Sequence, residues 1–101
     1  MYGTIARMQL KHGVEEQMMA LDLEERARNI PGAVAEYVYR MDNEPDVYYL
    51  VVVFESKEAY FANADSSEQA VEYEKMRALL AADPEWHDGE LISAWSPTPI
   101  M

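Results

Sequence analysis

Eight consecutive apolar residues, 47–54, place the strongest constraint on how this chain can fold. The segment is rich in valine and tyrosine, which favour strands, and it leads without a spacer into a helix-forming stretch, 55–60. A strand that is apolar on both faces must be covered on both sides, as at the centre of a sheet or at an interface. A chain of this length has helices for only one side of such a sheet. We therefore expect the other side to face a ligand pocket or a second subunit.

The composition is that of a single folded domain with an acidic surface. The chain has 101 residues, of which 50% are hydrophobic, so it can bury a core as one domain. Its 19 acidic and 8 basic residues give a net charge of −11, which repels nucleic acid phosphates and anionic lipid headgroups. Nucleic acid and membrane surfaces are therefore not expected as partners.

Several common types of site and targeting signal are missing from the sequence. Cysteine is absent, which removes disulfides, thiolate catalysis and cysteine-based metal sites. The two histidines are not at metal-ligand spacing, so no metal site is predicted. We see no signal peptide, and no apolar run approaches the roughly 20 residues that span a bilayer. A cytoplasmic protein is the expectation.

Apolar periodicities and turn signals predict four strands and three helices. Ser56 and Ser66 are predicted helix N-caps, the second in a capping box with Gln69. Pro31 and Gly32 are expected to stop the first helix. In chain order we predict a strand over 3–11, a helix over 14–29, strands over 33–41 and 47–54, a short helix over 56–64, a helix from 66 that ends before 84, and a strand over 90–96.

This order, βαββαβ, predicts an α+β ferredoxin-like fold, with an antiparallel sheet that carries helices on one face. The predicted domain covers 1–96, and 97–101 is expected to be a C-terminal tail. Because the other sheet face carries valine and tyrosine rather than charge, we expect a homodimer formed through the sheet faces.

Three segments of the sequence resemble the antibiotic biosynthesis monooxygenase family of dimeric α/β barrels. They are 5–13, 30–32 (Ile-Pro-Gly) and 52–59, where a strand-end aromatic precedes an acidic-Ser-x-x-Ala helix start. The resemblance covers roughly 3–96. It implies a homodimeric barrel with a ligand cavity between sheet and helices in each protomer. Members of the family include oxygenases that use no metal or flavin, haem-degrading enzymes and proteins without known activity, so no cofactor is expected here.

The family's functional positions are occupied by other residue types in this chain. Asn63 stands where members often carry a histidine, and Val52 where an acidic residue is common. The positions of the haem-degrading relatives' asparagine, tryptophan and iron-ligating histidine fall on Ala6, on Asn63 and near Tyr73. The resemblance therefore gives no support to haem degradation.

Three polar residues are candidates for catalysis. Asn63 lies at the cavity by the resemblance and could stabilise an oxyanion, although it could equally cap its helix. Arg7 is placed toward the barrel interior by the resemblance; it could hold a substrate enolate or carboxylate, or form a structural salt bridge with Glu36. His87, beside Asp88 in a loop before the last predicted strand, could act as a base.

Aromatic side chains are candidates for substrate binding, since an aromatic-walled pocket would suit a flat polycyclic or phenolic ligand. The alternative for the tyrosines and Trp95 is core or interface packing. The candidates are Tyr37, Tyr39, Phe54, Tyr73 and Trp95.

The function expected from these features is cofactor-independent oxidation of a small aromatic molecule by O₂, in which the pocket stabilises a substrate anion that itself reduces oxygen. Two alternatives stay open. One is a non-catalytic ligand-binding or interaction dimer, and the other is an isomerase or lyase of small acids with an acid–base pair in the cavity, for which His87 and Arg7 are the only candidates. A cavity filled by tyrosine and methionine side chains would exclude both enzyme hypotheses.

Overall fold

The computed structural model describes residues 1–98 and confirms the predicted ferredoxin-like order of elements. Residues 99–101 of the predicted tail lie outside the described part of the chain. None of the helices within 1–98 is long and apolar enough to cross a membrane. The elements are β1 (Tyr2–Gln9), α1 (Glu15–Arg26), β2 (Ala33–Arg40), β3 (Val47–Phe54), α2 (Lys57–Ala64), α3 (Ser67–Arg77) and β4 (Glu85–Glu90).

The apolar run forms β3, which lies inside the sheet as the sequence predicts. The strand order is β2-β3-β1-β4, and every neighbouring pair is antiparallel. Side chains alternate across the sheet, so each strand gives one set to the helices and another to the open sheet face. We use "open sheet face" for the helix-free side, whose side chains include Ile5, Arg7, Tyr37, Tyr39, Tyr49, Val51, Val53, Glu85 and His87.

The last strand is β4, Glu85–Glu90, so the prediction of a strand over 90–96 is wrong. β4 runs antiparallel to β1, with Arg7 opposite Glu85 and Tyr2 opposite Glu90. Since β1 begins at Tyr2, the alternating residues beyond 91 have no β1 residue opposite them. Trp95 is accordingly 84% exposed. His87, which was predicted in a loop, lies within β4.

α2 and α3 begin where the sequence predicts, because serine side chains satisfy backbone N–H groups at their first turns. Ser56 Oγ accepts from Ala59 N, and Ser66 Oγ accepts from Gln69 N, each at 3.1 Å. α1 ends three residues before the predicted limit. Asn29, with φ 53°, has the left-handed conformation that terminates helices.

The closed part of the core lies at one end of the sheet. Leu10 and Leu80 form a backbone bridge there and are almost fully buried. Met18, the one buried residue of α1, packs against the same cluster together with Met8 and Tyr48. The second half of α1 contacts α3, where Lys75 Nζ lies 2.8 Å from Glu24 Oε2.

A candidate active-site cleft between helices and sheet

A cleft of about 690 Å³ lies between the three helices and the helix side of the sheet. Its volume falls in the range of pockets that take small molecules. Strand residues that form one side of it include Thr4, Tyr48, Leu50, Val52 and Phe54. The interior on this side of the sheet is thus not filled by tyrosine and methionine side chains, the outcome that would have excluded the enzyme hypotheses.

An aromatic cluster at the start of α2 closes one end of the cleft. Tyr60 lies edge-on to Tyr2, Phe54 and Phe61, at ring-centroid distances of 5.4, 5.6 and 5.0 Å. Such edge-to-face pairs are favourable and hold the rings in fixed orientations. This end of the cleft therefore presents rigid, mostly apolar surface, suited to the edge of a flat ligand.

A pair of carboxyl groups stands on the other side of the cleft, where α1 faces the edge strand β2. Asp22 of α1 and Glu36 of β2 both line the cleft. Arg26 Nη2 lies 2.9 Å from Asp22 Oδ2, and Arg26 Nε lies 3.9 Å from Glu36 Oε1. Burial and, after it, the hydrogen bond and negative charge of Asp22 raise the pKa of Glu36 to about 8. At neutral pH this side chain is mostly protonated, and it can accept or return a proton near the working pH.

The raised pKa of Glu36 predicts a pH dependence of stability. The unfolded chain binds a proton at Glu36 near pH 4.5 and the folded chain near pH 8, so stability falls as pH rises between these values. We expect a loss of about 2 kcal/mol, roughly half of what the full pKa difference gives, because the side chain keeps some contact with water. Urea unfolding at pH 5 and pH 8.5 measures this loss.

Glu36→Gln should remove this loss, whereas Glu16→Gln, which changes an exposed carboxylate of α1, should keep it. An equal loss of stability in wild type and Glu36→Gln would contradict the assignment to Glu36.

Asn63 lies at the cleft with its side-chain amide held on both sides. Arg28 Nη2 donates to Asn63 Oδ1 at 3.4 Å, and Asn63 Nδ2 donates to Gln69 Oε1 at 3.3 Å. Arg28 is itself fixed by Glu25, with Nη1 at 2.9 Å from Oε1 and 3.0 Å from Oε2. Ser66 Oγ donates to the Asn63 carbonyl oxygen at 2.7 Å. The amide is thus oriented by its neighbours, and both of its bonds are long enough to be exchanged for a ligand.

Two further polar groups lie across the sheet from the carboxyl pair. Tyr60 Oη donates to Asp88 Oδ1 at 2.9 Å, and burial and then this hydrogen bond raise the pKa of Tyr60 to about 12. Thr4 of β1 pairs with Asp88 of β4 and is 5% exposed. Its Oγ1 makes no well-aligned hydrogen bond within 1–98, although it lies near enough to the Tyr60 hydroxyl to lower the Tyr60 pKa in part. Tyr60 therefore stays a hydrogen-bond donor over the working pH range, and the Thr4 hydroxyl at the cleft is only weakly bonded.

The structure brings only part of the predicted site together. Asn63, Phe54 and Tyr73 line the cleft. Arg7, His87, Tyr37 and Tyr39 belong to the open sheet face instead, on the opposite side of the sheet from Asn63. Trp95 follows β4 and is exposed. The roles given to these residues stay predictions, but Arg7 and His87 do not share a site with Asn63 within one copy of the chain.

The predicted salt bridge between Arg7 and Glu36 is wrong. Arg7 Nη1 lies 3.5 Å from Glu85 Oε2, and Arg7 Nη2 lies 3.7 Å from Glu44 Oε2. The residue of β1 in the same cross-strand row as Glu36 is Thr4, because both pair with Val52. Arg7 and Glu36 therefore point to opposite faces of the sheet.

The sequence reasoning missed the carboxyl pair, although a signal for it existed. Glu36 is a charged residue between Val34 and Val38 on one strand face. Asp22 lies four residues after Met18, and so on the buried stripe of α1. A charge on each of two otherwise apolar stripes indicates either mutual pairing or a polar site.

Comparison with known proteins places the chain near one family. A sequence model described as antibiotic biosynthesis monooxygenase matches residues 1–76. No curated protein shows significant sequence similarity to the chain.

Similar solved structures cover nearly the whole chain. A candidate antibiotic biosynthesis monooxygenase from Chloroflexus aurantiacus is 26% identical, with a TM-score of 0.76 and coverage of 94% of this chain and 96% of that one. Another from Caulobacter crescentus is 17% identical, with a TM-score of 0.80 and coverage of 91% and 90%. SnoaB from Streptomyces nogalater, a cofactor-independent oxygenase solved as an Asn-to-Ala mutant, is 16% identical, with a TM-score of 0.79 and coverage of 92% and 94%.

Proposed function

The chain belongs to the antibiotic biosynthesis monooxygenase family, and on that premise we propose that it is a cofactor-independent monooxygenase of small aromatic molecules. The observation that carries the proposal is the cleft of about 690 Å³, which combines aromatic and aliphatic walls with a few oriented polar groups. The structural likeness to SnoaB supports it, since that protein is a cofactor-independent oxygenase on the same fold.

The proposed reaction converts a fused-ring phenol, or its keto tautomer, to a quinone. The substrate first loses a proton to give an anion. The anion then supplies the electrons that reduce O₂: one oxygen atom is retained as a new carbonyl at a ring C–H, and the other leaves as water. The substrate loses two hydrogens and gains one oxygen, so the reaction balances with O₂ as the oxidant and no further reductant. The protein's part is to bind the substrate, form the anion and stabilise it.

Asn63 is the proposed donor to the anion. Its Nδ2 group lies at the cleft, and the Arg28 guanidinium beside Oδ1 polarises the amide and strengthens it as a donor. A neutral donor held in place by neighbours suits an anion that forms only during the reaction. Phe54 and Tyr73 would contact the rings of the substrate.

The experiment that tests this proposal blocks the cleft with one of two neighbouring α3 residues. Ala70 and Val71 are both exposed, but only Ala70 lines the cleft. We expect the wild-type protein to consume O₂ in the presence of fused-ring phenols and a metal chelator, and Ala70→Trp to lower the rate by on the order of tenfold or more because it displaces the substrate. An oxygen electrode measures the rate, and product mass confirms the retained oxygen atom.

Val71→Trp is the matched control and should keep the wild-type rate. Equal rates in the two tryptophan variants would place the reaction outside this cleft. Ligand binding without O₂ uptake across the panel of phenols would favour the non-catalytic alternative.

A second candidate function is favoured by the carboxyl pair. Asp22 and Glu36 form an acid–base pair inside the cleft, which an isomerase or lyase of a small molecule requires. Such an activity would proceed without O₂, so product formation in an anaerobic assay separates it from the proposed oxygenase.

We also propose that two copies of the chain pair through the open sheet face. Ile5, Tyr37 and Tyr39 on this face are 50%, 39% and 57% exposed, which is a large apolar surface for a small monomer. A second copy of the same face would provide the cover that β3 needs on its helix-free side.

A further inference from the structure

We propose that the Asp22–Glu36 pair is the proton acceptor that converts a neutral fused-ring phenol, or its keto tautomer, into the reactive anion. The inference rests on the proposed function and goes beyond it, because it names the base and the charge state of the substrate. Within the reaction, Glu36 takes the proton from the substrate, and the negative charge of Asp22 sets how strongly Glu36 binds that proton.

The two carboxyl groups are positioned by different elements that meet at the cleft. Asp22 lies on the buried stripe of α1, and Glu36 lies on the helix side of the edge strand β2. The Asp22 side chain is 12% exposed and the Glu36 side chain 28%. Two like-charged groups this close and this buried cannot both ionise easily, so they tend to share a proton.

Arg26 keeps the pair from being permanently neutral. Its guanidinium lies nearer Asp22 (2.9 Å) than Glu36 (3.9 Å), which favours a charge on Asp22 and leaves the shared proton to Glu36. The groups that face Glu36 are Asp22, Glu25 and Arg26 from α1; across the cleft, Glu72 of α3 and Asp88 of β4 also line it. The field at Glu36 is therefore negative on balance.

Unused hydrogen-bonding capacity inside the cleft points to a ligand. Glu72 Oε2 and Thr4 Oγ1 are buried atoms without a well-formed hydrogen bond within the described chain, whereas the Asp22 and Glu36 carboxyls interact with each other and with Arg26. Thr4 is 95% buried and carries no charge, and the Tyr60 hydroxyl is the one group near enough to its Oγ1 to interact with it, without forming a well-aligned hydrogen bond. A buried hydroxyl without a partner is costly, and a ligand that bonds to it would recover that cost.

The positions of Thr4 and Glu36 set the size of that ligand. They lie in one cross-strand row with Val52 between them, which puts their backbones two strand spacings apart, about 10 Å. A ligand of two or three fused rings that lies flat over Val52 would reach Glu36 with one end and Thr4 with the other. One end would present its acidic O–H or C–H to Glu36, and the other a carbonyl or hydroxyl oxygen to Thr4.

The charge of the cleft selects a neutral molecule. Its lining includes the guanidinium of Arg26 and five carboxyl side chains, those of Asp22, Glu25, Glu36, Glu72 and Asp88. Arg28 and Lys75 pair with Glu25 and Glu72 from outside the lining, so acidic groups still outnumber basic ones, five to three. A substrate that already carries a carboxylate would be repelled. The substrate class is therefore a neutral phenol or ketone, and the negative charge appears only when Glu36 has taken the proton.

The energetics of the proton transfer fit this class. Phenols ionise near pH 10, and an ordinary glutamate near pH 4.3, so a solvent-exposed glutamate is a weak base for them by about six pKa units. The pKa of Glu36, about 8, reduces the gap to about two. In the step itself, the substrate O–H or C–H bond breaks, its electron pair stays on the substrate as phenolate or enolate, and the proton bonds to the Glu36 carboxylate. No electron leaves the substrate until O₂ reacts.

Anaerobic hydrogen–deuterium exchange tests the base without requiring oxygenation. The probe is 2-tetralone, a neutral two-ring ketone whose acidic C–H groups exchange in D₂O through the enolate, followed by NMR. We expect the wild-type protein to accelerate exchange over buffer with a rate that rises through a midpoint near pH 8, and Glu36→Gln to lower the protein-dependent rate on the order of a hundredfold. Asp22→Asn should keep the base but move the midpoint to lower pH, since it removes the neighbouring negative charge.

Glu16→Gln, the same change at an exposed carboxylate of α1, should exchange like the wild type. Circular dichroism melting checks that each variant is folded; Glu36→Gln removes a buried ionisable group and should not melt below the wild type. No acceleration by the wild-type protein, or equal acceleration by Glu36→Gln, would overturn the inference. Exchange that depends on Glu36, without O₂ consumption, would support Glu36 as the base and refute the oxygenase. O₂ consumption that persists in Glu36→Gln would support the oxygenase and refute Glu36 as the base.

Discussion

Replacing Gly3 by alanine is expected to destabilise the protein by about 3 kcal/mol or more, the largest effect we predict for a single methyl group. A Cβ at Gly3 would lie 1.8 Å from the Val52 carbonyl oxygen and 2.8 Å from its carbonyl carbon. These are backbone atoms of β3, so the clash is relieved only if β1 moves away from β3. Because β1 and β3 are the two inner strands, that movement would loosen the whole sheet. Thermal and urea unfolding measure the loss.

Gly89→Ala is the matched control, since Gly89 lies directly opposite Gly3 on β4. A Cβ there would have no heavy atom of the described residues within 4 Å. Alanine at this site should therefore leave stability within about 0.5 kcal/mol or raise it slightly, because it restricts the unfolded chain. Similar effects at the two glycines would contradict a specific collision with Val52. The close approach also places Thr4, the next residue, against β3, so Gly3 helps to set the geometry of the cleft.

Ile5→Glu is expected to convert the proposed dimer into monomers. Ile5 lies on the inner strand β1, between Val51 and His87 on the open sheet face, so a second copy would bury it near the centre of the interface. Two carboxylates would then be taken out of water close to each other. We expect the dissociation constant to rise on the order of a hundredfold or more. Sedimentation velocity across a range of protein concentrations measures it.

Leu23→Glu serves as the comparison, since Leu23 is an exposed apolar residue (61%, against 50% for Ile5) on α1, away from the open sheet face. This variant should sediment like the wild type. A wild-type protein that is monomeric at micromolar concentration, or an Ile5→Glu variant that still pairs, would refute the sheet-face dimer. Loss of O₂ consumption on dissociation would indicate that the second copy supports the cleft.

Charge has different consequences on the two sides of the sheet. On the open sheet face, Arg7 forms partly exposed ion pairs with Glu85 and Glu44 at 3.5 and 3.7 Å, which contribute little in a monomer. Inside the cleft, Asp22 and Glu36 interact with each other and with the Arg26 guanidinium, and burial raises the pKa of Glu36 into the working range. The second arrangement costs stability above neutral pH, which is typical of a site kept for chemistry.

Much of the fold follows from local patterns in the sequence. The apolar residues 47–54 form an inner strand, and Ser56 and Ser66 cap the helices they were predicted to cap. The last strand could not be placed in the same way. The residues after 91 alternate well but have no β1 residue opposite them, while the less regular 85–90 do. Whether a segment is a strand depends on its partner as well as on its own pattern.

The sequence by itself determined the order of elements, the ferredoxin-like fold and the two faces of each strand: Tyr37 with Tyr39 on one, Glu36 with Val38 on the other. Only the tertiary structure decided which faces of different strands belong together. It put Glu36 in one row with Thr4 rather than with Arg7, and it brought Asp22 from a helix to the same cleft. The physical reason is that alternation is a property of one strand, whereas register is set by turns, by the irregularity between Ala33 and Ala35, and by packing between distant segments. A shift of one residue moves every side chain to the other face, so the site could be identified only once the strands had been paired.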